Sequence, residues 1–208
     1  MQNMDEVFKF KSELWIPLYT GLKAETLKEF IEILRTVDIE SVFYHIYINL
    51  FNYHNIPVYY PNSFSYWLYR NNFLILAERV SAIDSFEFED LEEVRKKILD
   101  ILEKYYPYDH RRELTPFYFV KAEREIIDCG IEAKNLKEFI EGIKHTSINS
   151  LFYHLITSKI QKRTPINDYS TWLLQKGERI KANKILQIDI PNYTLYEIKQ
   201  KILKILEQ

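Results

Sequence analysis

The feature that most constrains this chain is an internal duplication. Ala24, Leu27, Lys28, Glu29, Phe30, Ile31 and Glu32 recur as Ala133, Leu136, Lys137, Glu138, Phe139, Ile140 and Glu141 at a shift of 109, and Ser41, Phe43, Tyr44 and His45 recur as Ser150, Phe152, Tyr153 and His154. Twelve of the 23 positions from Lys23 to His45 equal their partners. Asn62, Ser65, Trp67 and Leu68 return as Asn167, Ser170, Trp172 and Leu173, and Leu91, Glu93, Lys97, Ile98 and Leu102 as Leu195, Glu197, Lys201, Ile202 and Leu206. A unit of about 100 residues is domain-sized and longer than a solenoid repeat. The connector Tyr105–Pro116 holds two prolines and a polar run, so the expected division is 1–112 and 113–208.

Within each copy the apolar spacing is mostly helical. Leu27, Phe30, Ile31, Leu34 and Val37 form one face, with Lys28, Glu29, Glu32 and Arg35 outward. Asp38 and Ser147, and again Asn62 and Asn167, precede aromatic segments as helix N-caps. Leu91–Glu103 and Leu195–Glu207 read as the closing helices, shorter ones are expected over 74–82 and 178–186, and the carboxylates Glu87, Glu89, Asp90, Glu92 and Glu93 suit a helix start. Phe8 and Phe10, matched by Phe117 and Phe119, alternate like short extended segments, and Gly21 and Gly130 suggest turns with positive φ. The predicted class is therefore mainly α: a tandem duplication of a four- to five-helix module packed about a pseudo-twofold axis, with short extended segments opening each half.

Composition narrows the function. A net charge of −2 and a pI near 6.2 provide no field for a phosphate backbone, and no helix is basic enough to read DNA, which places helix-turn-helix nucleic-acid binding last. The single Cys129 builds neither a disulfide nor a Cys-based metal site, and a reducing cytoplasm fits. No signal peptide is read near the N-terminus, and the apolar stretch 42–60 is interrupted by His45, Asn49, Asn52, His54, Asn55 and Pro57, so no membrane partner is expected. Plentiful Lys, Glu and Ile with scarce Gly suggest a thermophilic source. Gly-rich phosphate loops are absent from the sequence, and His54, His110 and His145 have no histidine counterparts in the other copy, so no cofactor and no metal are expected.

Ser41 and His45, like Ser150 and His154, stand four apart on a helix and share a face. They read either as a nucleophile with its base or as core residues satisfying buried hydrogen bonds, and the second reading is preferred because no carboxylate stands at an interpretable spacing. The aromatic-rich first copy, with Tyr59-Tyr60-Pro61-Asn62 as a lip, reads as a cleft or as plain packing; the second copy has Lys162-Arg163-Thr164 there instead. Candidate ligand-binding residues are Tyr44, His45, Tyr60, Asn62, Trp67, His154, Asp168 and Trp172.

The segments Gly21-Leu22-Lys23-Ala24, Ser41-Val42-Phe43-Tyr44-His45, Pro61-Asn62-Ser63-Phe64-Ser65-Tyr66-Trp67, Ala77-Glu78-Arg79, Ser150-Leu151-Phe152-Tyr153-His154 and Asn167-Asp168-Tyr169-Ser170-Thr171-Trp172 resemble an uncharacterised family of unknown function found in bacteria and archaea, many thermophilic. The resemblance spans nearly the whole chain. It implies a shared fold, no known reaction, a link to carbohydrate metabolism through neighbouring sugar-transfer genes, and an acidic residue after the motif asparagine. Asp168 keeps that acid and Ser63 replaces it. The expected function is a non-catalytic helical binding or accessory protein for a sugar-like ligand or a protein partner. The alternative is a hydrolase or transferase with His45 or His154 as general base, recognisable by a carboxylate within hydrogen-bond reach of the imidazole.

Overall fold

A computed structural model describes residues 7–51, 60–106 and 114–208. The expected junction at 112, the lip residue Tyr59, and His54 and His110 lie outside the described residues.

Each copy opens with a long strand. β1 spans Phe8–Ala24 and β2 spans Phe117–Ala133, and the two form a two-stranded antiparallel sheet. Lys9 pairs with Glu132 near one end and the Thr20 hydroxyl donates to the Phe119 carbonyl near the other. With 58% of the described residues helical and 18% in this sheet, the class is mixed α/β. This corrects the expectation of a mainly α, all-helical bundle of tandem helical modules. The strands were expected to be short because inward alternation stops after Phe8 and Phe10, and likewise after Phe117 and Phe119. Beyond it, Ile16–Tyr19 and Glu125–Asp128 are exposed at four successive positions, so both faces are open and no period-2 pattern marks them. Gly21 and Gly130 do take positive φ, 80° and 64°, but within the strands rather than in turns.

Among the described residues five helices follow β1: α1 (Leu27–Thr36), α2 (Ile39–Phe51), α3 (Ser63–Arg70), α4 (Leu74–Ser81) and α5 (Leu91–Lys104). After β2 come α6 (Leu136–His145), α7 (Ile148–Phe152), a π-helical turn (Tyr153–Thr157), α8 (Ser158–Lys162), α9 (Asp168–Gln175), α10 (Arg179–Leu186), a 3-10 turn (Ile190–Asn192) and α11 (Leu195–Leu206). Caps set the helix starts. Thr26 and Glu29 form a capping box on α1, and Thr194 and Glu197 do so on α11. Asp38 accepts from the Glu40 N–H, Ser147 from Ser150, Asn62 from Ser65, and Asn167 from Ser170, each oxygen satisfying a donor the helix leaves unpaired.

The chain divides into two compact units, Trp15–Glu123 and Met1–Leu14 with Arg124–Gln208. Each unit joins the helices of one copy to the opening strand residues of the other. In Trp15–Glu123, Phe30 of α1 stacks on Trp67 at 4.6 Å and meets Phe117 and Phe119 edge-on or tilted at 5.1 and 5.6 Å. In the other unit Phe139 of α6 stacks on Trp172 at 4.5 Å and meets Phe8 and Phe10 at 5.0 and 5.8 Å. Phe10 lies so close to α6 that a Cβ on Gly142 would stand 2.2 Å from its ring. A helix-interior glycine normally weakens a helix; here it makes room for the ring.

Candidate functional site

In the unit Trp15–Glu123, α2 carries Ser41 and His45 on one face. His45 Nε2 accepts the Val120 N–H at 3.0 Å and Ser41 Oγ donates to the Val120 carbonyl at 2.9 Å. The i, i+4 pair therefore clamps both backbone groups of one strand residue, and Ser41 spends its hydrogen there rather than on the imidazole. His45 is 5% exposed and ringed by Tyr44, Phe64, Phe117 and Phe119, centroids 4.6–6.1 Å away. Among these uncharged rings, burial pushes its pKa down to about 3. The neutral imidazole that accepts at Nε2 carries its proton on Nδ1, and Nδ1 has no hydrogen-bond partner among the described residues.

The unit formed by Met1–Leu14 and Arg124–Gln208 repeats the first half of this arrangement and changes the second. His154 Nε2 accepts the Lys11 N–H at 2.9 Å. Its Nδ1 lies 2.9 Å from Asp168 Oδ2, and Lys162 Nζ reaches the other carboxylate oxygen. Burial lowers the His154 pKa, and Asp168 opposes that shift. Asp168 itself sits below the usual carboxylate range because its contacts to His154 and Lys162 outweigh its desolvation. A carboxylate within reach of the imidazole is thus present in one copy.

The remaining candidates are placed by packing. Trp67 Nε1 donates to the Thr115 carbonyl at 2.6 Å, while the Asn71 carboxamide accepts the Thr115 N–H at 2.8 Å. Trp172 is 3% exposed against Phe139. Asn62 caps α3, and Tyr60 stacks on Tyr69 at 4.5 Å. Tyr44 is half-buried with its ring perpendicular to His45. The structure brings His154 and Asp168 together directly and sets Trp67 and Trp172 into aromatic cores.

Glu13 escaped the sequence reading. It is fully buried in β1, where its Oε1 accepts from Thr157 Oγ1 at 2.8 Å and its carbonyl accepts from Asn149 Nδ2 at 3.0 Å. Its repeat counterpart is the apolar Ala122, so the duplication gave no signal for it. Counted from the inward Phe8 and Phe10, position 13 falls on the outward side of the strand, so the alternation hid it as well. A shallow open groove of about 530 Å3 is lined by Ile166, Thr171, Leu174, Gln175, Arg179 and Asn183 and contains none of the candidate residues. Among the described residues no group of three or more His, Cys, Asp or Glu is placed to hold a metal ion, and no helix is long and apolar enough to cross a membrane.

Fold and site together define a class: a duplicated α/β protein in which a buried histidine of each copy's helices grips the backbone of the opposite copy's strand. The chain belongs to the family of unknown function DUF5752, whose model matches residues 5–207. Its structure is similar to that of OrfY from Thermoproteus tenax, with 29% sequence identity and a TM-score of 0.86, over 97% of this chain and 94% of that one. No curated protein matches it.

Proposed function

We propose that this chain is a non-catalytic binding or accessory protein, cytoplasmic, acting through its surface on a protein partner. The observation that carries the reading is the fate of Nε2 in both histidines. A general base needs a free lone pair within about 2.6–3.2 Å of the proton it removes, and here each lone pair already accepts a backbone N–H. Asp168 orients His154 as a catalytic carboxylate would, yet the imidazole it orients faces Lys11 N–H. A sugar-like ligand is the weaker partner, because stacking needs an open ring face and Trp67 and Trp172 are covered by Phe30 and Phe139.

Exposed apolar side chains lie on α4 and α10, where Ile75 and Ile180 are the most open, and also along the strands. In one unit Ile16 and Tyr19 of β1 are 48% and 82% exposed; in the other Ile126 and Ile127 of β2 are 42% and 39% exposed. Apolar side chains on a strand of a two-stranded sheet suit a partner that adds an extended segment to its edge. The purified chain is expected to leave ester, phosphoester and glycoside substrates intact, and Ile16→Lys with Tyr19→Lys is expected to abolish binding to a partner the native chain retains without lowering its melting temperature. A hydrolytic activity that disappears in His154→Phe while circular dichroism stays native would overturn the reading.

A further inference from the structure

The two histidines differ at one atom. His154 Nδ1 meets Asp168, the first residue of α9, at 2.9 Å; His45 Nδ1, equally enclosed, meets no acceptor among the described residues. The residue at the matching position, the first of α3, is Ser63. Its side chain is shorter and carries no charge. We propose that the first copy binds a small carboxylate-bearing molecule at His45, its carboxylate lying beside Ser63 in the place that the Asp168 carboxylate occupies in the second copy.

Three observations support the assignment. A buried N–H without a partner is costly, and native proteins seldom leave one so; a carboxylate oxygen supplies the acceptor that Asp168 supplies to His154. Both positions open eight-residue helices, where the helix dipole favours a negative group. The helix start itself meets solvent, since Ser63 is half-buried, as the Asp168 side chain is at 15% exposure in the second copy. A carboxylate fits better than a phosphate, because the rings around His45 are uncharged and provide no cations to balance a bulkier, more highly charged anion.

The test reads the imidazoles of the intact chain by nitrogen-resolved NMR during titration with sodium acetate, against sodium chloride at matched ionic strength. Acetate is expected to slow exchange of the His45 Nδ1 proton and to raise the His45 titration midpoint, leaving His154 unchanged. Ser63→Asp should reproduce both effects without acetate, raise the melting temperature by a few degrees, and remove the response to acetate. Asp168→Ser should lower the melting temperature and make His154 responsive, with acetate restoring part of the loss. The proposal fails if native His45 behaves identically in acetate and chloride, or if Ser63→Asp responds to acetate as the native chain does. Should Ser63→Asp not fold, rescue of Asp168→Ser together with a native His45 response upholds the proposal, and absence of either overturns it. Because these readouts report on His45 itself, their failure leaves the partner-binding reading standing, and loss of that reading leaves this one intact.

Discussion

The unit built on α1–α5 and the unit built on α6–α11 hold the same histidine in the same grip and complete it differently. His45 lies among uncharged rings with Nδ1 unanswered, whereas His154 has Asp168 and, beyond it, Lys162. The second copy carries further departures: Gly142 for Ile33, a π-helical turn where α2 runs on as α-helix, and Glu13 rather than Ala122 in the strand residues packed with it. The shared half, Nε2 to a strand N–H, is the part a fold of this kind needs, since removing either partner orphans a buried backbone donor. The Nδ1 half has diverged freely. Duplication preserves what packing demands and releases what it does not.

The largest expected test of this contrast is acid. Both imidazoles are neutral when folded, while in the unfolded chain they take up a proton below their ordinary pKa of 6.5. The unfolded state then binds more protons, so stability falls as pH drops. For His45 the fall runs from 6.5 toward its folded value of about 3, at about 1.4 kcal/mol per pH unit and roughly 5 kcal/mol in all. His154 should give a shallower fall, because Asp168 opposes its shift. The Asp168 contribution has the same sign in a lower window: it is complete above the ordinary carboxylate pKa of 3.8 and is lost as pH falls through the depressed folded value. Urea melts from pH 7 to pH 4 check the histidine limb, and melts carried below pH 3.8 check the Asp168 limb. If His45→Phe leaves the acid limb as steep as in the native chain, the assignment of that limb fails.

The aromatic stacks offer a near-equal comparison. Trp67→Ala and Trp172→Ala should each cost about 3–5 kcal/mol as buried aromatic truncations. A loss below about 1 kcal/mol for either variant in chemical denaturation would show that its stack on Phe30 or Phe139 contributes little. Asp168→Asn is expected to cost about 1.5–3 kcal/mol, the worth of a hydrogen bond to a charged group, whereas Ser63→Ala, which touches neither the cap nor His45 Nε2, should stay within about 0.5 kcal/mol. A reversal of that order in melts at pH 7 would undo the contrast between the copies. Gly142→Ala should destabilise by about 1–3 kcal/mol through collision with Phe10, while Ile33→Ala at the matching position loses volume instead. An unchanged stability for Gly142→Ala would mean that the Phe10 ring moves aside at little cost.

Much of this was legible before any coordinates. The caps at Asp38, Ser147, Asn62 and Asn167 follow from residue type and position, because an N-cap is a local hydrogen bond. The helical faces of α1, α5, α6 and α11 follow from spacing in the same way. The strands were underestimated because Ile16–Tyr19 and Glu125–Asp128 are exposed on both faces and give no alternation. The candidate list collected residues that the structure places in or beside the cores, since Trp, His and Asn matched between copies for packing, and a matched residue looks alike whether it binds or packs. Glu13 stayed hidden because its partners, Thr157 and Asn149, are more than 130 residues away along the chain.

What the amino-acid order determined alone was everything decided within a few residues: the repeat, the caps, the helix faces and the sharing of one face by Ser41 and His45. Which strand fills which core was settled by the tertiary structure. Phe8 and Phe117 are equivalent in sequence, and either would suit either aromatic core by composition. Only the assembled chain sets Phe117 against Phe30 and Phe8 against Phe139, and with that choice come the backbone N–H that each imidazole holds and the loss of its basic nitrogen to chemistry.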